Sequence, residues 1–111
     1  MNTLTLCTPC AEVRVATSPA EVLISFAGEL DLSLAEQFAS LRALVEARGL
    51  PVAVDLSEVT FFGAWAADAL LALRSAAPAE SFTVQATNET VRSTLDACGL
   101  TFGASADALD V

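Results

Sequence analysis

Apolar residues recur along this chain with two different periods. Residues 12–17 (EVRVAT) and 20–28 (AEVLISFAG) alternate or run apolar, and Ser18-Pro19 lies between them. This pattern predicts two strands joined by a short turn. Over the next twenty residues the period changes. Leu34, Phe38, Leu41 and Val45 recur at i, i+4, i+7 and i+11, the signature of an amphipathic helix. Ser33 and Glu36 have capping-box spacing at its start, and Gly49 with Pro51 marks its end. Residues 51–57 (PVAVDLS) read as a short apolar strand, with the character of a central strand buried on both faces. VTFF (59–62) leads into a second helix, AWAADALLALRSAA, which Pro78 stops. Residues 81–87 (SFTVQAT) alternate as a strand. Asn88 is the expected cap of a third helix carrying Val91, Leu95 and Cys98 on one face, and Gly99 closes it. A last short strand is expected at 100–102 and a tail at 103–111, while residues 1–10 suggest a flexible start. The order is β-β-α-β-α-β-α. A strand pair followed by βα crossovers predicts an α/β fold. Its expected form is a mixed four- to five-stranded sheet, with helices packed mainly on one face.

Composition narrows this picture. The 111 residues fit a single domain over 1–111. With 54% hydrophobic and only 17% charged residues, the chain is expected to form a real core and not a disordered segment. No apolar run approaches the length of a membrane helix, since Asp68 and Arg74 interrupt the richest stretch. The first residues lack the basic start and apolar centre of a signal peptide. A soluble, cytoplasmic protein is the expectation.

The formal net charge is −9, and the five basic residues are all arginine. Such a chain repels phosphate backbones and anionic membrane surfaces, so neither nucleic acid nor membrane is expected as a partner. A protein with a basic face would be attracted. The chain has no histidine, which removes the usual general base and the usual transition-metal ligand. Cys7 and Cys10 have C-x-x-C spacing, but they precede a strand instead of opening a helix. With only Cys98 to add a third thiolate, no metal site and no cofactor are expected.

The junction between VTFF and the second helix is the most informative stretch. If the helix begins near Ala64, its first backbone N–H groups are unpaired and carry partial positive charge. Gly63, Ala64, Trp65 and Ala66 offer no hydroxyl there. At 100° per residue, Ala66, Leu70 and Leu73 share the core face with Leu71 at its flank. Trp65, Asp68, Ala69 and Ala72 fall on the opposite side. Trp65 is then either an outward aromatic over a floor of alanines, a pattern suited to a partner surface, or a residue folded back onto the sheet.

FAGELDLSLAEQF, VAVDLSEVTFFGAWAADALLAL and TNETVRSTLDACGL together resemble the STAS domain of bacterial anti-sigma factor antagonists (anti-anti-sigma factors), a domain also found in sulfate transporters. The resemblance covers roughly residues 12–102. It implies a STAS-like sheet flanked by helices, and a non-enzymatic switch in which the protein binds an anti-sigma factor that is also a serine kinase. In that family, phosphorylation of a serine at the N-terminus of the second helix breaks the complex. The usual motif there is Asp-Ser-Ser-Gly or Asp-Thr-x-Gly. In this sequence Gly63 stands at the Asp, Ala64 at the phospho-acceptor, Trp65 at the next serine and Ala66 at the glycine. Asp31, in GELD, matches the family's acidic residue near that position; by itself it reads as an acidic contact for the first helix.

The resemblance therefore implies a partner-binding surface made of Asp31, Gly63, Ala64, Trp65, Asp68, Ala69 and Ala72, with the acceptor at Ala64 lost. The implied partner is an anti-sigma factor or a serine-kinase-like protein, and a homodimer is open. The alternative is a non-catalytic STAS subunit of a stress-signalling assembly or of a lipid-transport ATPase. An enzyme would need Asp31, Asp55 and Asp68 to converge near the junction.

Overall fold

The structure is a computed structural model that describes residues 2–78, 81–86 and 89–97. The strands are β1 (Asn2–Cys7), β2 (Ala11–Thr17), β3 (Val22–Leu30), β4 (Val52–Phe62) and β5 (Phe82–Gln85). The helices are α1 (Ala35–Arg48), α2 (Ala64–Ala76) and α3 (Glu89–Ala97), and a single 3-10 turn (Leu32–Leu34) precedes α1. The strands form one sheet in chain order, β1-β2-β3-β4-β5. β1, β2 and β3 are antiparallel neighbours, whereas β3, β4 and β5 run parallel. Each parallel step is bridged by a helix, as parallel pairing requires.

The buried residues explain why the helices share one face. In β2, Val13 and Val15 point inward while Arg14 is exposed. In β3, Val22, Ile24 and Phe26 are buried, and Leu23 is exposed. Against that inward face lie Leu34 from the 3-10 turn and Phe38, Leu41 and Val45 from α1, all four buried as their spacing predicts. Ala66, Ala67, Leu70 and Leu73 do the same from α2, with Val91 from α3. The opposite sheet face carries Glu12, Arg14, Ser25, Asp55, Ser57 and Glu58 and has no helix over it among the described residues.

Three expectations change. Asn2–Cys7 is not a stretch without structure: it pairs with β2 throughout, from Asn2↔Thr17 to Cys7↔Glu12. Residues 52–62 are one strand, not a short strand with a lead-in, and β4 is deeply buried on the helix side only. Two extra residues in β4 shift its pairing with β3, one between Asp55 and Glu58 and one between Val59 and Phe61. Each bulge re-phases the alternation, so the buried positions step from Leu56 to Val59 to Phe62. Finally, α1 has no Ser33–Glu36 capping box. Leu34 is its N-cap and makes no side-chain cap bond, and the capping carboxylate is Asp31 on the preceding turn. At the other end Gly49 closes α1 in the left-handed region (φ 62°), with its N–H donating to the Val45 carbonyl.

Gly28 ties the β1–β2 turn to β3. Its φ is 93°, and a Cβ there would lie 2.4 Å from the Cys10 carbonyl oxygen. The next residue, Glu29, donates its N–H to that same carbonyl at 3.0 Å. Only glycine fits so close an approach. The expected Asn88 cap, Cys98, Gly99, the strand at 100–102 and the tail at 103–111 lie outside the described residues.

Candidate partner-binding surface

Parallel strands β3 and β4 end side by side, with Leu30 opposite Phe62 and Glu29 opposite Phe61. The chain leaves each strand toward a helix, so both turns open on one rim of the sheet. In α/β sheets this carboxyl-end rim is where functional groups gather.

After β3 the turn is set by Asp31. Its Oδ1 accepts the Ser33 N–H at 2.9 Å and the Ser33 hydroxyl at 2.6 Å. These bonds, the hydroxyl first, hold the Asp31 carboxyl below its ordinary pKa. Asp31 is thus occupied locally as the cap of the turn before α1. The next residue, Leu32, is 67% exposed.

After β4 the chain passes two adjacent phenylalanines with opposite fates. Phe62 is buried at 4%, while Phe61 is 52% exposed. Gly63 is the N-cap of α2 in extended conformation (φ −96°, ψ −174°), with no side-chain cap bond. A Cβ on Gly63 would lie 3.2 Å from the Phe61 Cζ, so the Phe61 ring lies against this residue. Ala64 is the first helical residue and is exposed. The helix start therefore presents backbone N–H groups framed by a methyl and an aromatic ring.

Trp65 follows neither expectation in full. It is half-buried, and its ring meets Phe38 of α1 edge-to-face at 5.3 Å and 87°. Phe38 in turn stacks on Phe26 of β3 at 5.2 Å and 11°. Trp65 is the outer member of an aromatic row linking α2, α1 and the sheet. Ala69 packs on the core and is half-buried, and Ala72 is half-buried too. The α2 flank bearing Trp65 is thus turned toward α1, and the expected open alanine floor is not formed. The exposed residues of α2 are Ala64, Asp68, Arg74 and Ser75, so of the expected surface residues on this helix only Ala64 and Asp68 are exposed.

Asp31, Asp55 and Asp68 do not converge. Asp55 lies on the open face of the sheet and accepts the Ser57 N–H at 2.9 Å, whereas Asp68 lies on the helix layer covering the other face. Among the described residues no group of three or more His, Cys, Asp or Glu side chains is placed to hold a metal. Cys7 and Cys10 are free and exposed, Cys7 at the end of β1 and Cys10 in the β1–β2 turn. No helix of the described residues is long and apolar enough to cross a membrane.

Sequence reasoning missed Leu32 and Phe61. Phe61 adjoins buried Phe62, and Leu32 lies two residues from buried Leu30 and Leu34; only the turn after β3 and the second bulge of β4 place them in solvent.

Known proteins bear on this geometry. No curated protein matches the chain. Among solved structures it is similar to the crystal structure of an anti-sigma factor antagonist from Mycobacterium paratuberculosis. The two share 26% identity over 85% of this chain and 83% of the other, with a TM-score of 0.72. The family model described as "Mlab, STAS domain" matches residues 13–101. With that match spanning most of the chain, and with the mixed five-stranded sheet and one-sided helices in agreement, the protein belongs to the STAS domain family.

Proposed function

We propose that this protein is a non-enzymatic binding module of the anti-sigma factor antagonist type. It docks an anti-sigma factor, or a related serine-kinase-like protein, on the rim formed by Leu32, Phe61, Gly63, Ala64 and the α2 crest at Asp68. The observation that carries this reading is the exposure of Phe61 and Leu32 on the rim that also holds the start of α2. Two large apolar side chains in solvent at one rim suit the anchors of a protein interface. Asp31 supports the turn that presents Leu32. Trp65, Ala69 and Ala72 support the helix from its α1 side, with Trp65 at the rim of the contact.

Binding of this kind is not switched by phosphate at residue 64, because Ala64 has no atom to accept it. Affinity for a purified anti-sigma partner is expected to be the same before and after incubation with its kinase activity and Mg-ATP. Intact-mass analysis of an Ala64→Ser variant under those conditions is expected to show a phosphate that the unaltered chain lacks. Loss of binding by the unaltered chain, with phosphate on Ser57 or Thr60, would contradict an unswitched antagonist. Both side chains are exposed, so this outcome is accessible to measurement.

The missing acceptor also favours a second reading, a permanent non-catalytic subunit of a larger assembly. A stoichiometric partner that co-purifies through high-salt washing, and that is not an anti-sigma factor, would select it.

A further inference from the structure

The sheet has two edges, β1 and β5. β1 is Asn-Thr-Leu-Thr-Leu-Cys, six residues with neither charge nor proline. It pairs with β2 in continuous register without a bulge. Edge strands are ordinarily guarded by charge, proline, bulges or shortness, and β1 has none of these. On its outer side no strand pairs with it among the described residues. Leu4 is 54% exposed although Val15, opposite it, is buried. With Thr3, Val15, Thr17, Leu44 and Arg48 it lines a groove between β1 and α1.

We infer that β1 pairs antiparallel with the β1 of a second copy of this chain, about a two-fold axis perpendicular to the sheet. Two observations place a second copy at this strand and not elsewhere on the chain. The first is charge. Each chain carries −9, and β2, β3, α1, β4, α2 and α3 each contain at least one Asp or Glu. A second copy meets like charge at all of them, but none on β1 itself. β5 is also uncharged, but it has four residues and so offers a shorter ladder. A β1–β5 contact would also be heterologous and would not close into a dimer.

The second observation is the pattern of β1. Leu4 and Leu6 stand opposite Val15 and Val13 on the helix-covered face, while Thr3, Thr5 and Cys7 stand opposite Ala16, Arg14 and Glu12 on the open face. A dyad through Thr5 sets Leu4 against Leu6 of the second copy, Thr3 against its Cys7, and Thr5 against its Thr5. Every pair then matches in polarity, and the leucines close the groove over Leu44. A dyad through Leu4 sets Leu6 against Asn2, and a half-residue shift sets leucine against threonine. The paired strands join two five-stranded sheets into one continuous sheet. The interface shares no residue with the rim at α2, so the dimer holds two free docking surfaces.

The test combines mass in solution with cross-linking. The chain, tagged only at its C-terminus, is expected to sediment at twice its 11.5 kDa mass from micromolar concentration upward. Its dissociation constant should fall as salt screens the repulsion between the two acidic bodies. Leu4→Lys is expected to halve the measured mass and leave the circular dichroism spectrum unchanged. In a background with Cys7, Cys10 and Cys98 replaced by serine, Thr5→Cys is expected to give a covalent dimer on mild oxidation, and Thr83→Cys on β5 is not. Thr5 is exposed, so this variant decides the matter even where Leu4→Lys fails to fold. A single-chain mass for the unaltered protein at submillimolar concentration would overturn the inference. So would a dimer that survives Leu4→Lys, or one that Thr5→Cys does not trap.

Discussion

Two sets of large apolar residues meet at the corner where β3, β4, α1 and α2 come together, and they are built differently. Phe26, Phe38 and Trp65 form a row whose rings touch in sequence, stacked and then edge-to-face. Leu32 and Phe61 lie on the adjoining rim with more than half of their surface in water. The row joins three elements and so serves stability. The exposed pair leaves apolar surface in solvent, which contributes little to folding and is recovered when another surface covers it. In the proposed reading, folding and recognition are separated within a few residues, most sharply between buried Phe62 and exposed Phe61.

This contrast can be broken by substitution. The largest effect is expected from Phe38→Ala, which empties the middle of the row. Removing a buried phenylalanine costs about 3–5 kcal/mol, enough to threaten a small domain. Urea unfolding should show it directly. Trp65→Ala removes only the outer, half-buried ring, and about 2 kcal/mol is expected from lost area and the edge-to-face contact. A loss equal to that of Phe38→Ala would place Trp65 fully in the core. Leu32→Ser is expected to leave the unfolding free energy within about 0.5 kcal/mol of the original. It should weaken an anti-sigma partner several-fold in a calorimetric titration.

The smallest effect belongs to Asp31→Ala. The carboxyl of Asp31 has a lower pKa in the folded chain than the ordinary 3.8. Its contribution to stability is therefore complete above the unfolded value and is lost as pH falls through the folded value. Because the group is exposed, a small difference between variant and original is expected at neutral pH. That difference should vanish in strong acid. A difference that persists at low pH would mean that the turn is held by something other than the carboxylate.

The α1 face was legible in the sequence, because four residues at helical spacing leave one geometry for burial. The start of α2 at Ala64 was legible too, from the Gly63 break and the alanine run after it. What was not legible depends on pairing between distant segments. The exposure of Phe61 follows from two extra residues in β4, and these exist only by comparison with β3. The orientation of Trp65 follows from how α2 lies against Phe38, which no local pattern encodes. β1 carried its signal in plain view, with Leu4 and Leu6 alternating with Thr3, Thr5 and Cys7. Six residues running into a C-x-x-C spacing fit an unpaired segment equally well, and only the pairing with β2 decides between the two. Asp31 reads from the sequence as an acidic contact for the first helix; in the fold its carboxylate caps the turn before α1 through Ser33, and the Ser33–Glu36 capping box does not form.

The division of labour at the corner is tested most directly by Phe61→Asp, with partner affinity and urea unfolding measured on the same preparation. The expected result is at least a tenfold loss of affinity, about 1.4 kcal/mol, with an unfolding midpoint close to that of the unaltered chain. Unchanged affinity, or a loss of affinity that merely follows a loss of stability, would contradict the assignment of this rim as the docking surface.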